Sequence, residues 1–204
     1  MTILSKNNQS GRSMIEMLGV LAIIGVLSVG GISGYSKAMA KYKLTKAQDQ
    51  ITMLLMNIRT AYATSPSYDG LTAGKAIEYN LAPAEMASSD KTKLLGTYGG
   101  EVEVKAISGS ENYFHITMHG LGKEACRSLA TSDWGADGLV SVTIESDVAA
   151  DATPTVSATC NPGESRPTSG AFCTKWLPIE LGDLGTSTGK LCGEEKNMIT
   201  WVYY

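Results

Sequence analysis

Residues 11–32 read GRSMIEMLGVLAIIGVLSVGGI, an apolar run with one carboxylate, Glu16, near its start. The apolar part, from Met14 to Ile32, is long enough for a helix to cross a hydrocarbon layer of ~30 Å at about 1.5 Å per residue. A charged side chain inside such a segment is costly and usually has a function. The stretch therefore predicts a membrane helix in which Glu16 needs a partner.

A helical pattern continues beyond this run. Apolar residues recur at helical spacing, and these are Ala47, Ile51, Leu54, Leu55, Ile58, Ala61 and Tyr62. Polar residues fall on the other faces, and these are Lys46, Asp49, Gln50 and Arg59. No proline occurs before Pro66. We therefore predict one helix over residues 12–64, apolar all round in 13–34 and amphipathic in 35–64.

The composition excludes several classes of protein. Lys and Arg number 17 against 20 Asp and Glu, a net charge of -3 that gives no support to nucleic-acid binding. A hydrophobic content of 43% excludes a largely disordered chain. The sequence contains no P-loop, G-x-S-x-G or H-E-x-x-H motif. We predict neither an enzyme nor a cofactor.

All four cysteines lie in the C-terminal half, at Cys126, Cys160, Cys173 and Cys192. No two of them form a C-x-x-C unit, and only His115 and His119 could join them on a metal ion, so we predict no metal site. An even number of cysteines after a membrane segment favours two disulfides in an oxidising compartment. Four cysteines allow three pairings.

The two flanks of the apolar run disagree about its orientation. Lys6 and Arg12 precede it, and four lysines follow it, at Lys37, Lys41, Lys43 and Lys46. Positive-inside counting would place the C-terminal side in the cytoplasm, whereas the cysteines place it outside. We give the cysteines more weight and predict an exported C-terminal domain.

Residues 65–204 are predicted to form a globular domain. Strand-forming residues dominate four segments, Val102–Ile107, Tyr113–Met118, Leu139–Glu145 and Met198–Tyr203. Short helices are expected at Thr72–Tyr79, Pro83–Ala87 and Lys123–Ala130, and an exposed loop at Asp147–Gly170. These elements predict an α+β fold, in which an antiparallel sheet packs on the amphipathic half of the long helix.

The N-terminal segment resembles that of type IV pilins. That family has a short charged leader ending in Gly, a cut after this Gly, Glu at the fifth mature position and an apolar helix. Here Gly11 would precede the cut, Arg12 would become the first mature residue, and Glu16 falls at the fifth position. The resemblance implies the type IV pilin fold, removal of leader residues 1–11 by a prepilin peptidase, and methylation of the amine of Arg12. The family usually has Phe or Met where this chain has Arg12.

The resemblance also implies a function. The chain would be a type IV pilus subunit that is held in the inner membrane, with its C-terminal domain in the periplasm, and polymerises through its helix into an extracellular filament. Its partners would be other pilin subunits, the prepilin peptidase, the membrane and the pilus assembly machinery, and cell adhesion is one role of such filaments. The alternatives are a type II secretion pseudopilin, a minor pilin, or a single-pass anchored binding protein that never assembles.

Glu16 has two interpretations. By the resemblance, its carboxylate would pair with the N-terminal amine of a neighbouring subunit in an apolar filament core, where an unpaired charge is heavily penalised. Alternatively, the dipole at the start of the helix would favour the carboxylate by ~0.3–1 kcal/mol.

The resemblance suggests a disulfide pairing as well. In such pilins a disulfide ties the segment after the middle strands to the C-terminal region, which implies Cys126–Cys192 with Cys160–Cys173 inside it. The pairing Cys126–Cys160 with Cys173–Cys192 stays open. The size of the domain and its long cysteine-bounded region resemble type IVb pilins, whereas the short leader fits type IVa.

Overall fold

The computed structural model describes residues 14–135, 137–148, 153–156, 170–180, 182, 184 and 191–204. The predicted leader 1–11, Arg12, Cys160 and most of the predicted loop 147–170 lie outside these ranges. The chain divides into two compact units, Met1–Tyr42 and Lys43–Tyr204.

Helix α1, Met14–Tyr62, is continuous across both ranges of the predicted helix. Within the second unit it buries one stripe of side chains, Ala47, Gln50, Ile51, Leu54, Leu55 and Ile58. Ala61, which we expected in this stripe, is exposed, and Tyr62 is half-buried. The stripe thus follows the predicted helical period for three turns and ends with Ile58.

The outward placement predicted for Gln50 is wrong, because this side chain is only 4% exposed. Its Nε2 donates to Glu85 Oε1 at 2.7 Å, and its Oε1 accepts from Thr97 Oγ1 at 2.7 Å. A buried amide is tolerated when its donor and acceptor are both satisfied. Both partners are remote in sequence, so the helical pattern alone gave no sign of them.

Among the described residues, six strands form one sheet: β1 Leu94–Leu95, β2 Glu101–Ile107, β3 Ser110–Leu121, β4 Leu139–Ser146, β5 Gly170–Cys173 and β6 Asn197–Tyr203. Their order is β1-β2-β3-β6-β4-β5, and every neighbouring pair is antiparallel. The chain's last strand therefore lies inside the sheet, between β3 and β4. The predicted α+β fold with an antiparallel sheet is confirmed.

Two short helices accompany the sheet, α2 at Ala73–Glu78 and α3 at Lys123–Ala130, and single 3-10 turns lie at Ala84–Met86 and Thr174–Trp176. The four predicted strands and the three predicted short helical segments are all present, with bounds that differ by a few residues. Strands β1 and β5 were not predicted. β5 begins at Gly170, which we had placed at the end of a loop.

Both faces of the central strands are buried. On one face of β3, Phe114, Ile116 and Met118 belong to the same hydrophobic core as the buried stripe of α1. On the other face, the hydroxyls of Thr117 and Thr200 are 2.9 Å apart, so each buried hydroxyl has a partner across the β3–β6 pair. The central strands are thus buried on both faces, unlike those of an antiparallel sheet that has one face in solvent.

Candidate functional site

The first unit presents an apolar helical surface that none of its other described residues covers. From Met14 to Ile32 every large apolar side chain is exposed, from 47% at Met17 to 84% at Met14. Among the described residues, α1 is the one helix that is long and apolar enough to cross a membrane. Soluble monomers rarely expose apolar patches beyond a few hundred Å². This surface therefore has to be covered, by lipid or by protein.

Glu16 lies in the first turn of α1 and is exposed in the single chain. No other charged residue occurs in α1 before Lys37. Among the described residues, no cation forms an ion pair with its carboxylate. Once the apolar surface is covered, an unpaired carboxylate would be strongly destabilising, so the cover has to bring a cation or a hydrogen-bond donor to this point.

Glycines interrupt the apolar part of the helix, residues 13–34, at five positions: Gly19, Gly25, Gly30, Gly31 and Gly34. A Cβ added at any of them would meet no atom of the described residues within 4 Å. Packing within the single chain therefore does not require these glycines, although each costs up to ~1 kcal/mol relative to Ala in a helix. Close approach of a second helix is a physical reason for small residues at such positions.

Within the second unit, an ion pair and hydrogen bonds hold the last part of α1 to the rest of the domain. Lys46 Nζ lies 3.1 Å from Glu85 Oε2, beside the amide of Gln50. Further along the helix, Asn57 Nδ2 donates to the Leu81 carbonyl at 2.7 Å. Arg59 Nη2 donates to the Asp137 carbonyl at 2.8 Å. These contacts, spread over several turns, fix this part of the helix in register with the domain around it.

One disulfide ties α3 to the segment before β6. The sulfurs of Cys126 and Cys192 are 1.98 Å apart, and both residues are buried. This is the pair that the resemblance implied, and it excludes the alternative pairing of Cys126 with Cys160. Cys173 is also disulfide-bonded, and Cys160, the partner implied for it, lies outside the described residues.

The two histidines have separate environments. His115 is buried on β3, and burial lowers its pKa to about 4. His119 is near two carboxylates, with Nδ1 2.9 Å from Asp147 Oδ1 and Nε2 4.0 Å from Glu103 Oε2. The Glu103 carboxylate, with a smaller effect of Asp147, raises the pKa of His119 against the opposing effect of burial.

Asp147 has a structural role in this cluster. Its Oδ2 accepts the Gly120 N–H at 2.6 Å, and its own N–H donates to the Lys196 carbonyl at 3.0 Å. The carboxylate thus holds the chain that leaves β4 against the end of β3. Within the described residues, no three His, Cys, Asp or Glu side chains are arranged to hold a metal ion.

Comparison with protein families and curated proteins gave consistent results. The family model described as PilS N terminal matches residues 41–169. The major structural subunit of bundle-forming pilus from Escherichia coli O127:H6 is 27% identical over 134 residues, which cover 65% of this chain and 69% of that protein. The toxin coregulated pilin of Vibrio cholerae serotype O1 is 26% identical over 132 residues, which cover 62% of this chain and 59% of that protein.

A solved structure has the same fold. The crystal structure of TcpA, a type IV pilin from Vibrio cholerae El Tor biotype, aligns over 80% of this chain and 99% of that chain. The TM-score is 0.51 and the sequence identity is 15%, a likeness that shows the fold alone.

Proposed function

The chain belongs to the PilS N-terminal family of type IV pilins, and from this premise we propose that it is the subunit that polymerises into an extracellular type IV pilus. The role that we propose for this chain is therefore structural. The observation that carries the proposal is the exposed apolar surface of Met14–Ile32 with its lone carboxylate, Glu16. A filament core made of such helices would cover this surface and bring a partner to Glu16.

Processing would create that partner. We propose that a prepilin peptidase cuts after Gly11, removes residues 1–11 and methylates the new amine of Arg12. The amine is a cation four residues before Glu16, at the same end of the helix. An amine of one subunit and the carboxylate of the next would then neutralise each other in the apolar core, and only one axial register would bring them together.

Before assembly, the subunit would be held in the inner membrane by the apolar part of α1, with residues 65–204 in the periplasm. The disulfide between Cys126 and Cys192 supports this orientation, because disulfides persist in oxidising compartments. The membrane would be a holding state, from which the assembly machinery transfers the helix to the filament.

Intact mass of the protein purified from its own cells tests the processing step. We expect a chain that begins at Arg12 and carries one added methyl group. A mature chain that still contains Met1 or Lys6 would contradict cleavage at Gly11. It would favour the alternative of an anchored binding protein that never assembles.

Surface filaments test the role of Glu16. We expect Glu16→Ala and the isosteric Glu16→Gln to abolish filaments seen by electron microscopy, while the amount of subunit in the membrane stays unchanged. Glu78→Ala, which removes an exposed carboxylate from α2, is the matched control and should assemble normally. Normal filaments from the Glu16 variants would refute the ion pair. Filaments in which this chain is a trace component would indicate a minor pilin.

A further inference from the structure

A basic segment follows the apolar surface directly along α1. Tyr35, Lys37, Lys41, Tyr42 and Lys43 are all exposed, and we call them the basic collar. From Met17 to Gln48 the sequence contains four lysines and no acidic residue. The collar is thus a concentration of positive charge at the end of an apolar helix, on the side that the proposed function places outside the cytoplasm.

The charges of the collar are unpaired in the single chain. Among the described residues, Lys37, Lys41 and Lys43 form no ion pair, whereas the next lysine, Lys46, lies 3.1 Å from Glu85. Lys46 is therefore neutralised within the second unit, whereas no ion pair among the described residues neutralises the three collar lysines, whose charge is left for an external partner.

The collar surrounds the helix. At about 100° per residue, Lys37 and Lys41 share one face, and Lys43 lies on nearly the opposite side. Tyr35 and Tyr42 are seven residues apart, so they lie on the same side of the helix, which differs from the sides that carry the lysines. A protein partner would contact one side of the helix, whereas a layer of lipid headgroups contacts all sides.

The depth of the collar also fits a headgroup layer. Between Met14 and Tyr35 the helix rises by roughly 31 Å, which matches the hydrocarbon thickness of a bilayer. Tyrosine is enriched at such borders, because its ring is apolar and its hydroxyl is polar. Lysine side chains beyond the border extend toward the phosphates while their methylenes stay on apolar surface.

We propose that the basic collar binds acidic phospholipid headgroups in the outer leaflet of the inner membrane while the subunit awaits assembly. This inference rests on the proposed membrane-held state. It gives a physical reason for lysines on the exported side, where positive-inside counting does not expect them. Bound headgroups neutralise the collar and set the depth of the helix, and transfer to the filament has to release them.

The test uses the full chain in vesicles of phosphatidylcholine with a minority of phosphatidylglycerol. Electron spin resonance of spin-labelled versions of each lipid reports which lipid contacts the protein. At low salt we expect the anionic lipid to be favoured about fivefold, and the preference to decline as salt screens the charges. The variant Lys37→Gln, Lys41→Gln, Lys43→Gln should bring the preference close to one.

A matched variant, Lys75→Gln, Lys91→Gln, Lys196→Gln, removes the same charge from exposed sites in the second unit and should keep the preference. If both variants lost the preference for the anionic lipid equally, the preference would depend on net charge alone, and the proposal would be overturned. An unchanged preference in the collar variant would also overturn it. A chain that is extracted from the vesicles by alkaline carbonate would overturn the membrane-held state itself. A chain that inserts without lipid preference would overturn the collar alone.

Discussion

Asn197, the first residue of β6, is a buried polar side chain that links the start of this strand to two neighbouring segments. It is 1% exposed. Its Nδ2 donates to the Leu121 carbonyl at 3.1 Å and to the Glu194 carbonyl at 2.8 Å, and its Oδ1 accepts the Glu194 N–H at 3.3 Å. We predict that Asn197→Asp, which changes almost no volume, strongly destabilises the domain.

The expected size follows from these contacts. The substitution removes two donated hydrogen bonds, each worth about 1 kcal/mol net, and leaves the carbonyl oxygens of Leu121 and Glu194 facing a negative oxygen, at about 1–3 kcal/mol each. The sum is about 4–8 kcal/mol, a large part of the 5–15 kcal/mol typical of a domain. Asn197→Ala loses three hydrogen bonds but introduces no repulsion. We expect it to lower the free energy of unfolding by about 3 kcal/mol.

The pH dependence separates repulsion from simple loss of contacts. Burial beside carbonyl oxygens raises the folded-state pKa of an aspartic acid at 197 above its unfolded value. The penalty is therefore smallest below the unfolded pKa, grows as pH rises toward the folded pKa, and is complete above it. The Asn197→Ala penalty should not follow pH in this way.

Urea unfolding of the full chain in mild detergent measures both effects. Tryptophan fluorescence is a suitable signal, because Trp134, Trp176 and Trp201 all lie in the second unit. Asn112→Asp, an exposed change of the same chemistry on β3, is the control and should be within about 0.5 kcal/mol of the unsubstituted chain. An Asn197→Asp variant that loses less than about 1 kcal/mol at neutral pH would refute the assignment of these hydrogen bonds.

Two further predictions concern the same domain. Replacing Cys126 and Cys192 by Ser should lower the free energy of unfolding by about 4 kcal/mol in urea, because the bond links residues 66 apart and chain-entropy theory assigns that much to such a loop. A decrease in the free energy of unfolding of less than about 1 kcal/mol would contradict this contribution of the disulfide. The stabilisation from His119 is present below pH 6.5 and is lost as pH rises through its raised pKa, whereas that from His115 is lost as pH falls from 6.5 to about 4. Imidazole NMR titrations check both, and a His119 midpoint below 6.5 would contradict the carboxylate contacts.

Local patterns were enough to predict most of the elements, and long-range contacts explain the failures. The buried stripe of α1 and strands such as β3 follow from residue spacing alone. β5, Gly170–Cys173, was missed because four residues that begin with glycine have no periodicity, and their pairing with β4 is what makes them a strand. The central position of β6 and the burial of Gln50 likewise depend on partners remote in sequence. Glu16 could be singled out from the sequence because its context is entirely local.

The central position of β6 also explains how such a subunit can vary without losing its fold. Three separate ties hold this strand: pairing with β3 and β4, the hydrogen bonds of Asn197, and the disulfide of Cys192 just before it. None of these ties involves the chain between Ser146 and Gly170. We therefore expect substitutions in that stretch to leave the central strand pairs intact, except at Asp147, which holds the chain that leaves β4 against the end of β3. In the proposed function, assembly would depend on other parts of the chain, namely the apolar helix with Glu16 and the sheet that packs on its second half.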